Sequence, residues 1–160
     1  MSELPPDRAT TSPQEPPLPT PQGWERLETE HPAVSACAEP FTHPSIFRSN
    51  LTLVQENCAL GLVAWQEAAE ELLPESLSHY RLLDSKTALS LGVTRTGVVR
   101  RVAQHLQGDS VAVTLIQWCW ISEDKGITLS LSASPTRVGG LETIIKEIDE
   151  IHHLSKTENS

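Results

Sequence analysis

The sequence is short of basic residues and of long hydrophobic runs, and each shortage excludes a class of protein. Only 12 of the 160 residues are Lys or Arg, against 21 Asp or Glu, so the formal net charge is −9. A nucleic-acid binder normally presents a basic face, and this charge balance argues against that class. No apolar run approaches the roughly 20 residues that a membrane-spanning helix needs, so we expect no insertion into a membrane.

Cysteine is also scarce, which bears on the cellular compartment. Cys37, Cys58 and Cys119 are odd in number and none stands in a Cys-x-x-Cys pair, so they do not make a closed disulfide framework. A reducing cytoplasm fits this usage best. The stretch from Met1 to Arg8 has neither an apolar core nor a basic leader, so we expect no secretory or lipoprotein signal there. The sequence therefore predicts a cytoplasmic protein.

Proline is concentrated at the N-terminus, where residues 1–23 hold 7 of the 12 prolines and few large apolar side chains. Such a stretch buries too little surface to offset the entropy lost on ordering. We predict a disordered tail with polyproline character over 1–23. A single domain is predicted over 24–154, starting at Trp24, and the polar residues 155–160 are expected to fray.

Hydrophobic spacing in the domain predicts a helix, a series of strands and a second helix. Apolar residues recur every three or four positions over 60–73, with Gln66 and Glu70 on the opposite, polar face, and Pro74 is expected to stop this helix. The period then changes to two, as in strands with one buried face. The predicted elements are strand 45–56, helix 60–73, strands 80–84, 88–93, 97–107, 110–121 and 127–134, and helix 138–154, with 32–46 irregular and a hairpin turn at 123–126.

The short connections between these strands predict an antiparallel meander. A sheet with one apolar face needs a cover, and the two helices supply it. The predicted fold class is therefore α+β, with an antiparallel sheet covered by two helices.

No segment carries a specific catalytic, cofactor or metal-binding signature. Cys58 precedes the first helix, but a cysteine nucleophile needs a histidine base that no local motif supplies. His31, Cys37 and His43 are spaced more widely than the ligand pairs of usual metal sites. We therefore predict no catalytic residue, no metal site and no cofactor.

One pattern suggests a recognition surface. Trp118 and Trp120 lie two residues apart on a predicted strand, so they share a face, and Arg100 and Arg101 are expected on the neighbouring strand. Exposed tryptophan beside arginine would form a patch that binds a protein partner. The alternative is that both tryptophans pack beneath a helix, because aromatic side chains dominate protein cores.

The order of segments also resembles a known family, through short stretches at 21–24, 46–53, 60–73, 111–121 and 129–135. This family contains the PsbP proteins of photosystem II, the Ran-binding Mog-type import factors and the actinobacterial LpqN/LpqT lipoproteins, and the likeness is greatest to the LpqN/LpqT group. Ser49 departs from the pattern, which often has Pro before the Asn of the first strand. The resemblance implies a compact α/β/α sandwich and a binding or accessory role without a common enzyme activity, and no catalytic residue carries over.

These observations predict a non-enzymatic accessory protein that acts through contacts with a protein partner. Two alternatives stay open. A small-molecule carrier of the helix-grip type would have an apolar cavity between the last helix and the strands. A cysteine-dependent enzyme would use Cys58 or Cys119.

Overall fold

A seven-stranded antiparallel sheet forms the centre of the molecule. The computed structural model describes residues 18–40, 47–89, 97–108 and 110–152. Its strands are β1 (Glu25–Leu27), β2 (Val34–Ala38), β3 (Asn50–Asn57), β4 (Ser78–Leu89), β5 (Gly97–Gln107), β6 (Val111–Ser122) and β7 (Lys125–Ala133). Helix α1 (Leu62–Ser76) connects β3 to β4, and a 3₁₀ turn (Val138–Leu141) leads into helix α2 (Glu142–Ile151).

The spatial order β1-β2-β3-β7-β6-β5-β4 combines two meanders. The first contains β1 to β3 and the second contains β4 to β7. They join where β3 pairs antiparallel with β7, so that Leu51 lies opposite Leu131 and Leu53 opposite Leu129. Helix α1 carries the chain from the middle of the sheet to its far edge. The α+β prediction of an antiparallel sheet with two helices is confirmed.

The main core lies between one face of the sheet and α2. Strand β7 shows how the alternation builds it, because Ile127, Leu129 and Leu131 are buried while Thr128 and Ser130 between them lie on the other face. Leu141 and Ile148 close the core from the helical layer. Within the described residues, neither helix combines the length and the apolarity needed to cross a bilayer.

Leu18 corrects the predicted start of the domain. Its side chain is only 6% exposed and belongs to the same core cluster. The Cys37 thiol, on β2, donates a hydrogen bond of 3.5 Å to the carbonyl of Pro19 nearby. Part of the segment predicted as a tail is therefore packed against the sheet, while residues 1–17 lie outside the described part of the chain.

Two strand predictions were wrong. The segment 32–46 was predicted to be irregular, yet Val34–Ala38 forms β2, whose small side chains produce little hydrophobic contrast. Residues 80–84 and 88–93 were predicted as separate strands, but Ser78–Leu89 is one strand with irregular register between Leu82 and Asp84. Residues 90–93 of that prediction, 45–46 of the first predicted strand and 153–154 of the last helix lie outside the described residues.

The ends of two elements also differ from the prediction. Helix α1 continues past Pro74 to Ser76: the proline has no amide hydrogen to donate, but the Leu77 amide still donates to the Leu73 carbonyl at 2.9 Å. The hairpin between β6 and β7 turns on two residues, because Ser122 already pairs with Lys125. Glu123 takes the positive φ of 59° that such a tight turn requires.

Candidate functional site

The four residues of the predicted patch do not share one exposed surface. Arg100 lies opposite Trp118 and Arg101 opposite Gln117 in the β5–β6 pairing, so the two arginines point to opposite faces of the sheet. Trp118 is 0% exposed and Arg101 is 1% exposed. The expectation of an exposed patch is therefore wrong for these two side chains, and the alternative of tryptophan packing beneath a helix describes Trp118.

Arg100 and Trp118 belong to a buried polar clamp under α2. Both side chains donate to Asp149 on this helix, Arg100 Nη1 to Oδ2 at 2.6 Å and Trp118 Nε1 to Oδ1 at 2.9 Å. Trp120 is half-buried on the same face, and its ring centroid lies 4.5 Å from that of His152 at the end of the helix. The clamp fixes α2 on the sheet.

Arg101 forms a second buried network on the opposite face, beneath α1. Its guanidinium donates to Gln66 Oε1 at 2.5 Å, to Gln117 Oε1 at 2.8 Å and to the carboxylate of Glu70. The Gln117 amide continues the network to the hydroxyl of Ser130 at 3.1 Å. Each of the three guanidinium nitrogens of Arg101 therefore has an acceptor, as a buried cation requires.

This network explains an error in the predicted orientation of α1. Gln66 is 6% exposed and faces the sheet, whereas Leu72 is 60% exposed. The hydrophobic spacing placed Gln66 and Glu70 outward, because it could not show that the facing strand presents a buried arginine. The sequence signal was Arg101 itself, which lies between the apolar residues Val99 and Ala103 on the same face of β5.

A cavity of about 160 Å³ lies beside the Arg101 network, between α1 and the strands β4 and β5. Ligand pockets for drug-sized molecules are roughly 300–1,000 Å³, so this cavity suits a single side chain better than a whole cofactor. The lining combines carboxylate, amide, guanidinium and hydroxyl groups with two valines. It contains Val63, Gln66, Glu67, Glu70, Ser85, Thr87, Val99 and Arg101.

The lining carries a net negative charge. Arg101 contributes one positive charge and Glu67 and Glu70 contribute two negative charges, which leaves −1. Burial raises the pKa of the Tyr80 phenol, and the Glu70 carboxylate raises it further. Its hydroxyl is buried and has no hydrogen-bond partner within the described part of the chain.

The cysteines considered as nucleophiles are both buried. Cys119 lies beneath α1, on the same face as Arg101, and burial raises the pKa of its thiol. Cys58 is 8% exposed, and its thiol donates to the Leu60 carbonyl at 3.5 Å. No three His, Cys, Asp or Glu residues group into a metal-binding arrangement in the ranges that the structure describes.

Strand β4 brings apolar side chains to the edge of the sheet, next to the cavity. Among the described strands, it is the last of the order and pairs only with β5. Leu82 and Leu83 are 42% and 45% exposed. Ser85 and Thr87, which line the cavity, lie opposite Arg101 and Val99 of β5. The cavity therefore lies at the open edge of the sheet.

Solved structures from three organisms share this fold. The chain is similar to PA94 of Pseudomonas aeruginosa, a protein of unknown function, with a TM-score of 0.62 at 9% identity over 78% of this chain and 92% of that one. Cyanobacterial PsbP from Synechocystis matches with a TM-score of 0.60 at 13% identity and 81% of each chain. LpqN, involved in cell envelope biogenesis of Mycobacterium tuberculosis, matches with a TM-score of 0.59 at 18% identity over 84% of this chain and 79% of that one.

These likenesses establish a PsbP/LpqN-like fold at low sequence identity. No family model and no curated protein matches the sequence.

Proposed function

We propose that this chain is a non-enzymatic accessory protein that works through contacts with another protein. The observation that carries the proposal is the edge of β4, where Leu82 and Leu83 are exposed beside an acidic cavity. Exposed apolar side chains that adjoin an unpaired sheet edge are a common basis for protein association. LpqN, whose fold is similar, is involved in cell envelope biogenesis, which is consistent with an accessory role.

The interior polar groups support a structural rather than a catalytic role. Arg101 is paired with Glu70, Gln66 and Gln117, and Arg100 with Asp149. Such pairing holds the two helices in place and leaves little capacity for proton transfer to a substrate. We also propose the reducing cytoplasm as the compartment, on the ground that all three cysteines are free and buried.

The helix-grip alternative places its ligand between the last helix and the strands. Trp118, Leu141 and Ile148 pack into the core cluster at that interface instead. The 160 Å³ cavity lies beneath the other helix and is too small for most carried ligands. The packing therefore favours the accessory role over the carrier.

The proposal is tested by cross-linking the full chain to its neighbours in cells of its native host and identifying the captured proteins. We expect Leu83→Ser to reduce the capture of a specific partner several-fold, because it removes an exposed apolar contact at the edge. Ile151→Ser is the matched control, since Ile151 is 66% exposed at the far end of α2. Equal capture by both variants, or no specific partner with the unaltered chain, contradicts the proposal.

A further inference from the structure

We propose that the β4 edge accepts an extended segment of the partner as an eighth strand, and that this segment inserts a lysine or arginine side chain into the cavity under α1. The inference rests on the proposed function and specifies the partner's chemistry. It follows from the backbone at the edge, the position of the cavity and the charge of its lining.

The backbone requirement is met by the second half of β4. From Asp84 to Leu89 the strand pairs with β5 residue by residue, without the register shifts that interrupt its first half. About half of the backbone N–H and C=O groups in such a strand point away from its neighbour. A regular stretch of six residues at a sheet edge can therefore bind one additional strand through main-chain hydrogen bonds.

The cavity lies where side chains of an added strand would reach. Ser85 and Thr87 line it, and a residue directly opposite either one would lie on the same face, with its Cβ about 5 Å away. Val63, Glu67 and Glu70 border the cavity from α1, at positions i, i+4 and i+7 of one helical stripe. A side chain from the added strand therefore enters between the helix and β4.

The charge of the lining selects a basic side chain. Glu67 is exposed at the cavity, and Glu70 is 33% exposed and uses one carboxylate oxygen for Arg101. The guanidinium of Arg101 is already covered by Glu70, Gln66 and Gln117, so the charge left for an incoming group is negative. An apolar residue two positions along the added strand would extend toward Leu82, which lies opposite Ala103 on the same face.

The chemistry of this chain favours a different protein over a second copy. With a net charge of −9, two copies repel each other, whereas a basic segment is attracted. The proposed occupant of the edge is therefore an extended, basic segment of another protein.

The test selects peptides on the full chain from a phage-displayed library of random octapeptides. We expect the selected peptides to contain a Lys or Arg within an alternating apolar pattern. In a synthetic pair that differs only at that residue, Lys→Glu should weaken binding about tenfold or more. Hydrogen exchange should show new protection of backbone amides within 84–87 in the complex.

Variants of the full chain locate the basic side chain. Glu67→Lys should weaken the lysine peptide about tenfold, since it reverses the charge at the cavity. Glu71→Lys is the control, because it makes the same charge change at an exposed position of α1 outside the cavity lining. Equal effects of both variants, protection confined to other strands, or selection of peptides without a basic residue overturns the inference.

Two further outcomes separate this inference from the proposed function. Concentration-dependent protection of 84–87 in the free chain, with a dimer in sedimentation, identifies a second copy at the edge and overturns the inference. A cellular partner whose capture depends on Leu83 but not on Glu67 supports the accessory role and overturns the eighth-strand model. Loss of capture with Leu83→Ser and also with Glu67→Lys supports the accessory role and the eighth-strand model together.

Discussion

Single residues in this protein tie segments together that are far apart in the chain. Arg137, at the start of the 3₁₀ turn, reaches the carboxylate of Glu39 after β2, with Nε at 3.1 Å from Oε2 and 3.3 Å from Oε1. Arg48 donates to the Glu39 carbonyl at 2.7 Å. Gly140 leaves room for the Glu39–Arg137 ion pair, because a Cβ at this position would lie 1.9 Å from Arg137 Nη1.

The Glu39–Arg137 pair predicts a pH-dependent contribution to stability. Hydrogen bonding to Arg137 holds the pKa of Glu39 below its ordinary value of 4.5, although partial burial opposes this. The contribution is therefore complete above pH of about 4.5 and is lost as the pH falls through the lowered pKa. Glu39→Gln should reduce the free energy of unfolding by about 1 kcal/mol at pH 7, a modest value because Arg137 is 38% exposed.

Urea unfolding of both chains from pH 7 to pH 3 measures this difference, which should shrink toward zero at the acid end. Glu25→Gln is the control, since Glu25 is 61% exposed and pairs with Arg48 at 3.2 Å. It should change stability by less than about 0.5 kcal/mol at every pH. A difference for Glu39→Gln that grows on acidification contradicts the assignment.

At the scale of elements, different interactions hold the two helices on the sheet. Helix α2 places Leu141, just before it, and Ile148 in the core and adds the Asp149 clamp. Helix α1 buries Gln66 and is held largely by the Arg101 network. Its Trp65 ring packs closely on β7, where a Cβ at Gly126 would lie 2.6 Å from the ring. The cavity adjoins this polar underside of α1.

The contacts of Asp149 with Arg100 and Trp118 predict how the free energy of unfolding depends on this carboxylate. The side chains of Arg100 and Asp149 are 13% and 11% exposed, so removing the carboxylate leaves a buried guanidinium with weaker compensation. Asp149→Ala should lower the free energy of unfolding by about 3 kcal/mol. Asp149→Asn should cost less, because its amide oxygen can still accept from Trp118.

Chemical denaturation of these variants provides the measurement. Glu147→Ala, an exposed position on the same helix, should change stability by less than about 0.5 kcal/mol. The double variant Arg100→Met/Asp149→Ala should recover part of the loss, since it removes the unpaired charge. Additive losses in the double variant argue against a coupled pair.

Elements with strong periodicity were predictable, and those shaped by their neighbours were not. The alternation from Ile127 to Ala133 identified β7, because one of its faces is apolar, and the valine-containing run from Gly97 to Gln107 identified β5. Strand β4 was divided in two, because Asp84, Ser85 and Lys86 resemble a turn when their pairing with β5 is unknown. The alternation along a strand places Arg100 and Arg101 on opposite faces, but which helix covers each of them could not be predicted from the sequence.

At the scale of the whole molecule, the fold persists where little sequence is shared. LpqN and cyanobacterial PsbP match at 18% and 13% identity. In this chain the fold rests on an alternation of apolar residues toward α2 and on a chain path that pairs β3 with β7. The face beneath α1 combines buried apolar residues such as Val99 and Ala103 with the buried Arg101.

The cysteines report on opening of the whole molecule. Cys37 is 0% exposed on β2 and Cys119 is 1% exposed on β6, and burial raises the pKa of both thiols. Both should therefore react with a thiol reagent such as iodoacetamide only through unfolding, on the order of a thousandfold slower than a free thiol. Cys58, 8% exposed in the loop before α1, should react earlier through local opening.

Mass spectrometry of the labelled full chain at pH 7 distinguishes the three sites, and Cys58→Ser provides the control for the early phase. Moderate urea should accelerate labelling of Cys37 and Cys119 together, because they lie in the same sheet and open in one cooperative transition. Fast, selective labelling of Cys119 in the folded chain would reveal an accessible, activated thiol beneath α1 and would favour the cysteine-dependent enzyme over the accessory protein.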